Sequence, residues 1–253
     1  MKESTKISLS DVKKGCKRKN AEANNKLHWF SSKFSIYLSY VFIKLRFTAD
    51  QVTIIFFLVG LLGVFSFGLN SLPLSILGYL LFRLHIIIDM SDGDVARFNQ
   101  SFSIRGAYWD AVIHSILNPL YYIFICFSFY IQFDNVLFIL IGPLLGLSSS
   151  VLMAVKNNYF KAMLYNGLAL NKQSSASDFK KNSVAENIKF KFIYFLSEIF
   201  SIEGFVFITV FVRLFDIERL AYILLIIYLF SNILITTVKF YQFSYTGNSF
   251  TKS

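Results

Sequence analysis

Apolar residues fall in long runs separated by short polar breaks, and the runs are long enough to cross a bilayer. The first runs from about residue 51 to 69. The Asn70-Ser71 turn and Pro73 let a second begin almost at once and end at Asp89. A third covers about 107–131 and a fourth 136–155, with Asp134-Asn135 as the turn between them. The stretch 192–214 is broken early by Glu198 and Glu203, which puts its first turns at the interface and a span at about 197–214. After a turn at Asp216 and Glu218, Arg219 leads into a last span at 219–240. The pattern predicts an all-α integral membrane protein with about six transmembrane helices.

The ends of the chain read differently. Residues 1–28 form a Lys-rich polar tail, expected to be disordered and cytosolic, with no apolar core of a cleavable signal peptide. Residues 29–46 mix aromatic and aliphatic residues with Lys33, Lys44 and Arg46, which suits an N-terminal amphipathic helix lying in the headgroup layer. Asp50 is placed to cap the first span. One membrane domain, 29–245, is expected, with 246–253 as a C-terminal tail.

Charge then orients this arrangement. The net charge of +10 could suggest nucleic acid, but the basic residues flank apolar spans, so no nucleic-acid partner is expected. Of 25 Lys and Arg residues, 22 fall on the side of the termini, the 90–106 connection and the basic stretch 156–191 with its Ser174-Ser175-Ala176-Ser177 middle. The positive-inside rule therefore places both termini and the 90–106 connection in the cytoplasm, in a plasma membrane. The two cysteines, Cys16 and Cys126, suggest neither a disulfide framework nor a Cys-based metal site.

The chemistry concentrates between spans two and three, in DMSDGDVARFNQSFSIRGAYWDAVIH, residues 89–114. Asp89 and Asp92 are three apart at the end of one run, and Asp110 and His114 four apart near the start of the next, so each pair can share a helix face. Carboxylates this close repel unless a cation sits among them, and hard oxygen ligands suit Mg²⁺ or Mn²⁺. Such residues at a membrane edge usually mark function. Asp94 and Arg105 read as solvated loop charges. Arg83 and His85 read as side chains snorkelling to the interface, or as substrate contacts. Glu198 and Glu203 read as headgroup-level carboxylates or as the acceptor side of a cavity.

The spacing D-x2-D-G-x2-A-R-x8-G-x3-D-x3-H resembles the signature of the CDP-alcohol phosphatidyltransferases, with seven of eight positions matching and His114 standing where that family has Asp. Thr53 also matches a Thr of the family, while Ala49 and Asp50 depart from its Pro-Asn. The resemblance implies two divalent ions, Mg²⁺ or Mn²⁺, held by Asp89, Asp92 and Asp110. It implies a diphosphate held by Arg97, and room for the cytidine nucleotide at Gly93, Ala96 and Gly106. His114 would then be base and metal ligand.

The expected function is transfer of a phosphatidyl or phosphoalcohol group from a CDP-linked donor to an alcohol acceptor, with release of CMP. Breaking a pyrophosphate builds charge on its oxygens, which paired divalent ions stabilise. Donor and acceptor stay open: CDP-diacylglycerol with a soluble alcohol, or a soluble CDP-alcohol with a lipid. Membrane lipid is an expected partner and a homodimer is allowed. A neutral imidazole, with a reference pKa of about 6.5, suits proton acceptance at neutral pH. Two other classes stay open, a CDP-alcohol-binding pseudoenzyme motivated by His114 and a small channel or carrier.

Overall fold

A computed structural model describes residues 7–16, 26–101, 103–165 and 201–249. The described residues form eight α-helices and no strands: α1 (Leu9–Gly15), α2 (Lys26–Lys44), α3 (Ala49–Gly68), α4 (Leu72–Phe98), α5 (Ile104–Phe133), α6 (Leu137–Tyr165), α7 (Ile202–Phe215) and α8 (Glu218–Ser249). Five of them, α3, α4, α5, α6 and α8, are long and apolar enough to cross a membrane. Their outward faces carry exposed large apolar side chains such as Leu58, Leu62, Phe65, Leu147 and Phe230, as expected for lipid rather than water. Of the fifth expected span, at 197–214, residues from 201 on are described, and the helix there, α7, has 14 residues. That length gives about 21 Å of helix, short of the roughly 30 Å hydrocarbon core. Glu198 and the Ser-rich 174–177 segment lie outside the described residues.

The chain divides into two compact units, Met1–Leu117 and Asn118–Ser253. In the first, α3 and α4 form an antiparallel hairpin through a turn whose Asn70 has φ 39°. The turn chemistry matches the expectation: Pro73 sits in the first turn of α4, where its missing N–H costs nothing. The helix start at α3 differs from it. Thr48 is the N-cap, in a reciprocal pair with Gln51, and Asp50 lies inside the first turn. A hydroxyl at the cap position reaches the free N–H of Gln51, and Asp50 is already helical.

Two glycines set how closely α3 approaches its neighbours. A Cβ on Gly60 would come within 2.5 Å of Leu117 Cδ1 and 2.9 Å of His85 Nδ1, and one on Gly78 within 3.1 Å of the Gly63 carbonyl. Gly60→Val should therefore lower stability by about 1–3 kcal/mol, the usual penalty of overpacking. Thermal unfolding in detergent checks this, and an unchanged Tm would show that the helices can part without cost.

The expected disordered tail contains α1, which packs on α2 and α4 with Val12 and Cys16 buried. Ser8 caps it, and the hydroxyl and backbone N–H of Ser8 hold the Asp11 carboxyl below the usual range. A helix of 7 residues is not stable alone; the tertiary contact is what sequence inspection lacked.

Helix α4 also runs past the expected end at Asp89, as far as Phe98. Its 27 residues extend about 40 Å, some 10 Å more than a hydrocarbon core requires, so the signature residues 89–97 form a helical extension of the span rather than a loop. Gln100, at φ 53°, ends it, with the Ser101 N–H closing back on the Ala96 carbonyl.

In the second unit, α5 and α6 continue through Pro119 and Pro143. Gly146 lies against Pro119, and Gly142 against Cys126. Helix α6 continues to Tyr165, so Lys156 and Lys161 are helical rather than part of a connection. Gln132 donates to Asp216 and Asn135 donates to Glu218, which ties the 133–137 and 215–218 turns together at one end of this unit. The two turns expected on a common side therefore lie together.

Candidate metal centre

The site is assembled in the first unit from α3, α4 and α5. Asp89 and Asp92 share a face of α4, while Asp110 and His114 share a face of α5, as their spacings require. His114 Nε2 lies 3.5 Å from Asp89 Oδ1 and 3.3 Å from Asp110 Oδ1. One ligand atom from each of Asp89, Asp110 and His114 falls within 4.8 Å of the others. Asp110 Oδ1 is buried and accepts no hydrogen bond; the His114 approach lacks the alignment of one.

This arrangement fits a divalent ion. Ligand atoms about 2.1 Å from a metal and at right angles are separated by about 3 Å, close to the 3.3 and 3.5 Å observed. A buried carboxylate oxygen without a donor is a group that an ion would satisfy. The mixed donor set, two carboxylates and an imidazole, suits Mn²⁺ or Zn²⁺ better than Mg²⁺.

Asp92 stands beside this trio, close enough to Asp89 and Asp110 for their charges to act on it. Its Oδ2 accepts from the Thr53 hydroxyl of α3 at 3.0 Å, and the same hydroxyl lies 3.0 Å from the Ala49 carbonyl. Thr53 therefore orients a carboxylate of the set. Gly93 follows at once, and a Cβ there would lie 3.4 Å from both terminal nitrogens of Arg97, so the bare face of Gly93 is turned to that guanidinium. Gly106 sits in the first turns of α5, where an added Cβ would meet only Ser103 Oγ at 3.1 Å and Asp50 Oδ1 at 3.9 Å. Ala96 contributes a carbonyl to the end of α4.

Three polar residues occupy places the sequence did not suggest. Asp94, read as a solvated loop charge, is 2% exposed and ion-paired to Arg97 at 2.5 Å. His85, read as snorkelling, is buried: its Nδ1 lies 2.9 Å from the Phe56 carbonyl, which can only accept, so Nδ1 carries the proton. Its ring meets that of His114 edge-on at 5.9 Å, and Phe56 lies beside both, forming an aromatic floor under the ligand cluster. The spacing to Asp89, four residues on, was the available signal for His85, since i and i+4 share a face. Arg83 donates to Ser31 of α2 at 3.0 Å, so its guanidinium ends on protein. Arg105 remains largely exposed, 3.8 Å from Asp50, on α5 rather than in a loop; such a pair contributes about 0–1 kcal/mol. Glu203 lies in the first turn of α7, in the other unit.

No family model matches this chain, and no curated protein matches it in sequence.

Proposed function

We propose that the protein is a CDP-alcohol phosphotransferase, moving a phosphatidyl or phosphoalcohol group from a CDP-linked donor to an alcohol acceptor with release of CMP. The observation that carries this reading is the convergence of Asp89, Asp110 and His114 from two helices, with Asp92 adjacent and Arg97 one turn further on. The order and spacing of these residues match the signature of that family in seven of eight positions.

In the proposed reaction, the acceptor hydroxyl attacks the phosphorus that carries the transferred group. A new P–O bond forms there, the bridging P–O bond to CMP breaks, and the hydroxyl proton passes to an acceptor on the protein. Asp89, Asp92, Asp110 and His114 would hold two divalent ions, which supply charge neutralisation on the diphosphate when bound. Nε2 of His114 has one lone pair, so in any one step it serves as ligand or as proton acceptor, not both. Arg97 offers a planar fork to the diphosphate. Thr53 keeps Asp92 turned toward the site, and Gly93 and Gly106 leave space for the nucleotide.

The membrane placement belongs to the same proposal. Helix α2 turns Ser31, Ser35 and Ser39 inward and exposes Phe34, Tyr37 and Val41 along one stripe, with Lys33 and Lys44 also exposed. An apolar stripe flanked by lysines suits the headgroup layer of an anionic leaflet. Six spans, cytoplasmic termini and a cytoplasmic site in the plasma membrane complete the picture.

Purified protein supplied with CDP-diacylglycerol or soluble CDP-alcohols, Mg²⁺ or Mn²⁺, and a panel of alcohols should release CMP. No release with any combination would overturn the reading. Arg97→Ala should weaken CDP binding about 10- to 100-fold, the effect of losing a hydrogen bond between charged groups. Calorimetry in the presence of Mn²⁺ measures it, and unchanged affinity would remove Arg97 from the nucleotide site.

A further inference from the structure

Asp94 lies outside the metal set, yet it is among the most buried charged groups described in the chain. Both of its carboxylate oxygens are engaged. Oδ2 accepts from Ser35 Oγ at 3.3 Å and Oδ1 accepts from Arg97 Nη2 at 2.5 Å, while Ser39 Oγ lies 3.3 Å from Oδ2 and shares its one proton with the nearer Ser35 carbonyl at 2.7 Å. The two serines are one turn apart on α2, so a helix outside the spans reaches the signature at this carboxylate. Cys16 Sγ, at the end of α1, lies 3.3 Å from the Asp94 carbonyl oxygen.

The Arg97 side of the pair is incomplete. Its Nε is buried and has no acceptor. An unmade bond of this kind is destabilising, and native proteins rarely leave one without a ligand or water to take it. The guanidinium also lies over the bare face of Gly93, the residue that follows Asp92 in the chain. A planar guanidinium held at one end, 28% exposed and with one donor unmade, is arranged to meet an oxyanion.

From this geometry we infer that Asp94 is a positioning residue: held by Ser35 and Ser39 of α2, it fixes the Arg97 guanidinium at the edge of the metal centre so that its free N–H groups meet the diphosphate of a nucleotide. The inference rests on the phosphotransferase reading and adds to it the residues that set the pose of the diphosphate contact. Two effects of Asp94 oppose each other. Its charge offsets part of the attraction of Arg97 for an anion, while its hydrogen bonds remove the rotamer freedom that a long side chain otherwise loses on binding. The donors from α2 and from Arg97 that meet on one buried carboxylate favour the second effect.

The test is a double-mutant cycle on the full chain in detergent, with CDP as the probe, Mn²⁺ present and Kd read by calorimetry. Asp94→Asn, and separately the pair Ser35→Ala with Ser39→Ala, should each weaken CDP binding about tenfold when Arg97 is present and cause no further loss in an Arg97→Ala background. The serine pair leaves the Asp94 charge in place, so it isolates position from charge, and it decides the matter if Asp94→Asn does not fold. In turnover assays the donor KM should rise with kcat little changed. Equal losses in both Arg97 backgrounds would make Asp94 a structural residue only, and tighter CDP binding by Asp94→Asn would make it a counter-charge; either result overturns the inference. Wild-type protein that binds CDP but shows such additivity leaves the phosphotransferase reading intact, whereas wild type that binds no CDP with Mn²⁺ overturns both.

Discussion

Asp110→Asn is expected to abolish CMP release, by about 10³-fold or more, and to remove Mn²⁺-dependent CDP binding while the protein stays folded in detergent. The expectation follows from Oδ1 of Asp110, a buried oxygen with no donor, 3.3 Å from His114 Nε2 and in reach of Asp89. An amide keeps one oxygen but loses the negative charge and presents N–H groups where an ion requires lone pairs. Charge stabilisation by metals contributes several kcal/mol to such a transition state, and each 1.36 kcal/mol is about a tenfold change in rate. Folding should survive because the Asp110 side chain is half exposed and its lost oxygen carried no hydrogen bond. Near-normal CMP release by the variant would remove Asp110 from the metal set. Asp89→Asn should behave the same way, since its Oδ1 faces the same imidazole nitrogen.

The second large effect is expected at His114. If the proposed ions bind there, an imidazole nitrogen between two carboxylates should favour Mn²⁺ over Mg²⁺, because Mg²⁺ favours an all-oxygen shell. Wild type should therefore turn over faster with Mn²⁺. His114→Asp should retain activity and move the preference toward Mg²⁺, and His114→Ala should lose about 10²- to 10⁴-fold, the range of general-base assistance. Parallel titrations of Mn²⁺ and CDP separate the two roles: loss of metal affinity marks a ligand, whereas loss of rate with metal affinity kept marks a base. A wild type that binds CDP without releasing CMP, with release appearing only in His114→Asp, would identify a binding protein whose last signature position has changed.

The helical extension of α4 shows where sequence inspection stopped short. The apolar run ends at Asp89, and beyond it the polar residues and Gly93 read as a connection. The helix continues to Phe98 because Val95 and Asp94 are buried in the first unit, and the Ser91 hydroxyl, shared with the Ile87 carbonyl, lies 3.1 Å from the Ser35 carbonyl of α2. Burial supplied by a partner helix outweighs the weak local preference of Asp, Gly and Ser for helix. The same cause accounts for α1, whose 7 residues are ordered against α2 and α4.

By itself, the sequence determined the all-helical class, the turns at Asn70 and Asp134, and the pairing of Asp89 with Asp92 and of Asp110 with His114. Each follows from short-range physics: apolar run length against bilayer thickness, turn residues with few alternatives, and the helical period that brings i, i+3 and i+4 to one face. Tertiary structure alone decided that Asp89 joins Asp110 at His114 Nε2, that Thr53 serves Asp92, that His85 lies buried beside His114, and that Asp94 faces Ser35 and Ser39. Those contacts join residues far apart in the chain, 39 for Thr53 and Asp92 and 59 for Ser35 and Asp94. They depend on how closely α2, α3, α4 and α5 pack, a distance set by side-chain volumes such as the missing Cβ of Gly60 and carried by no local pattern.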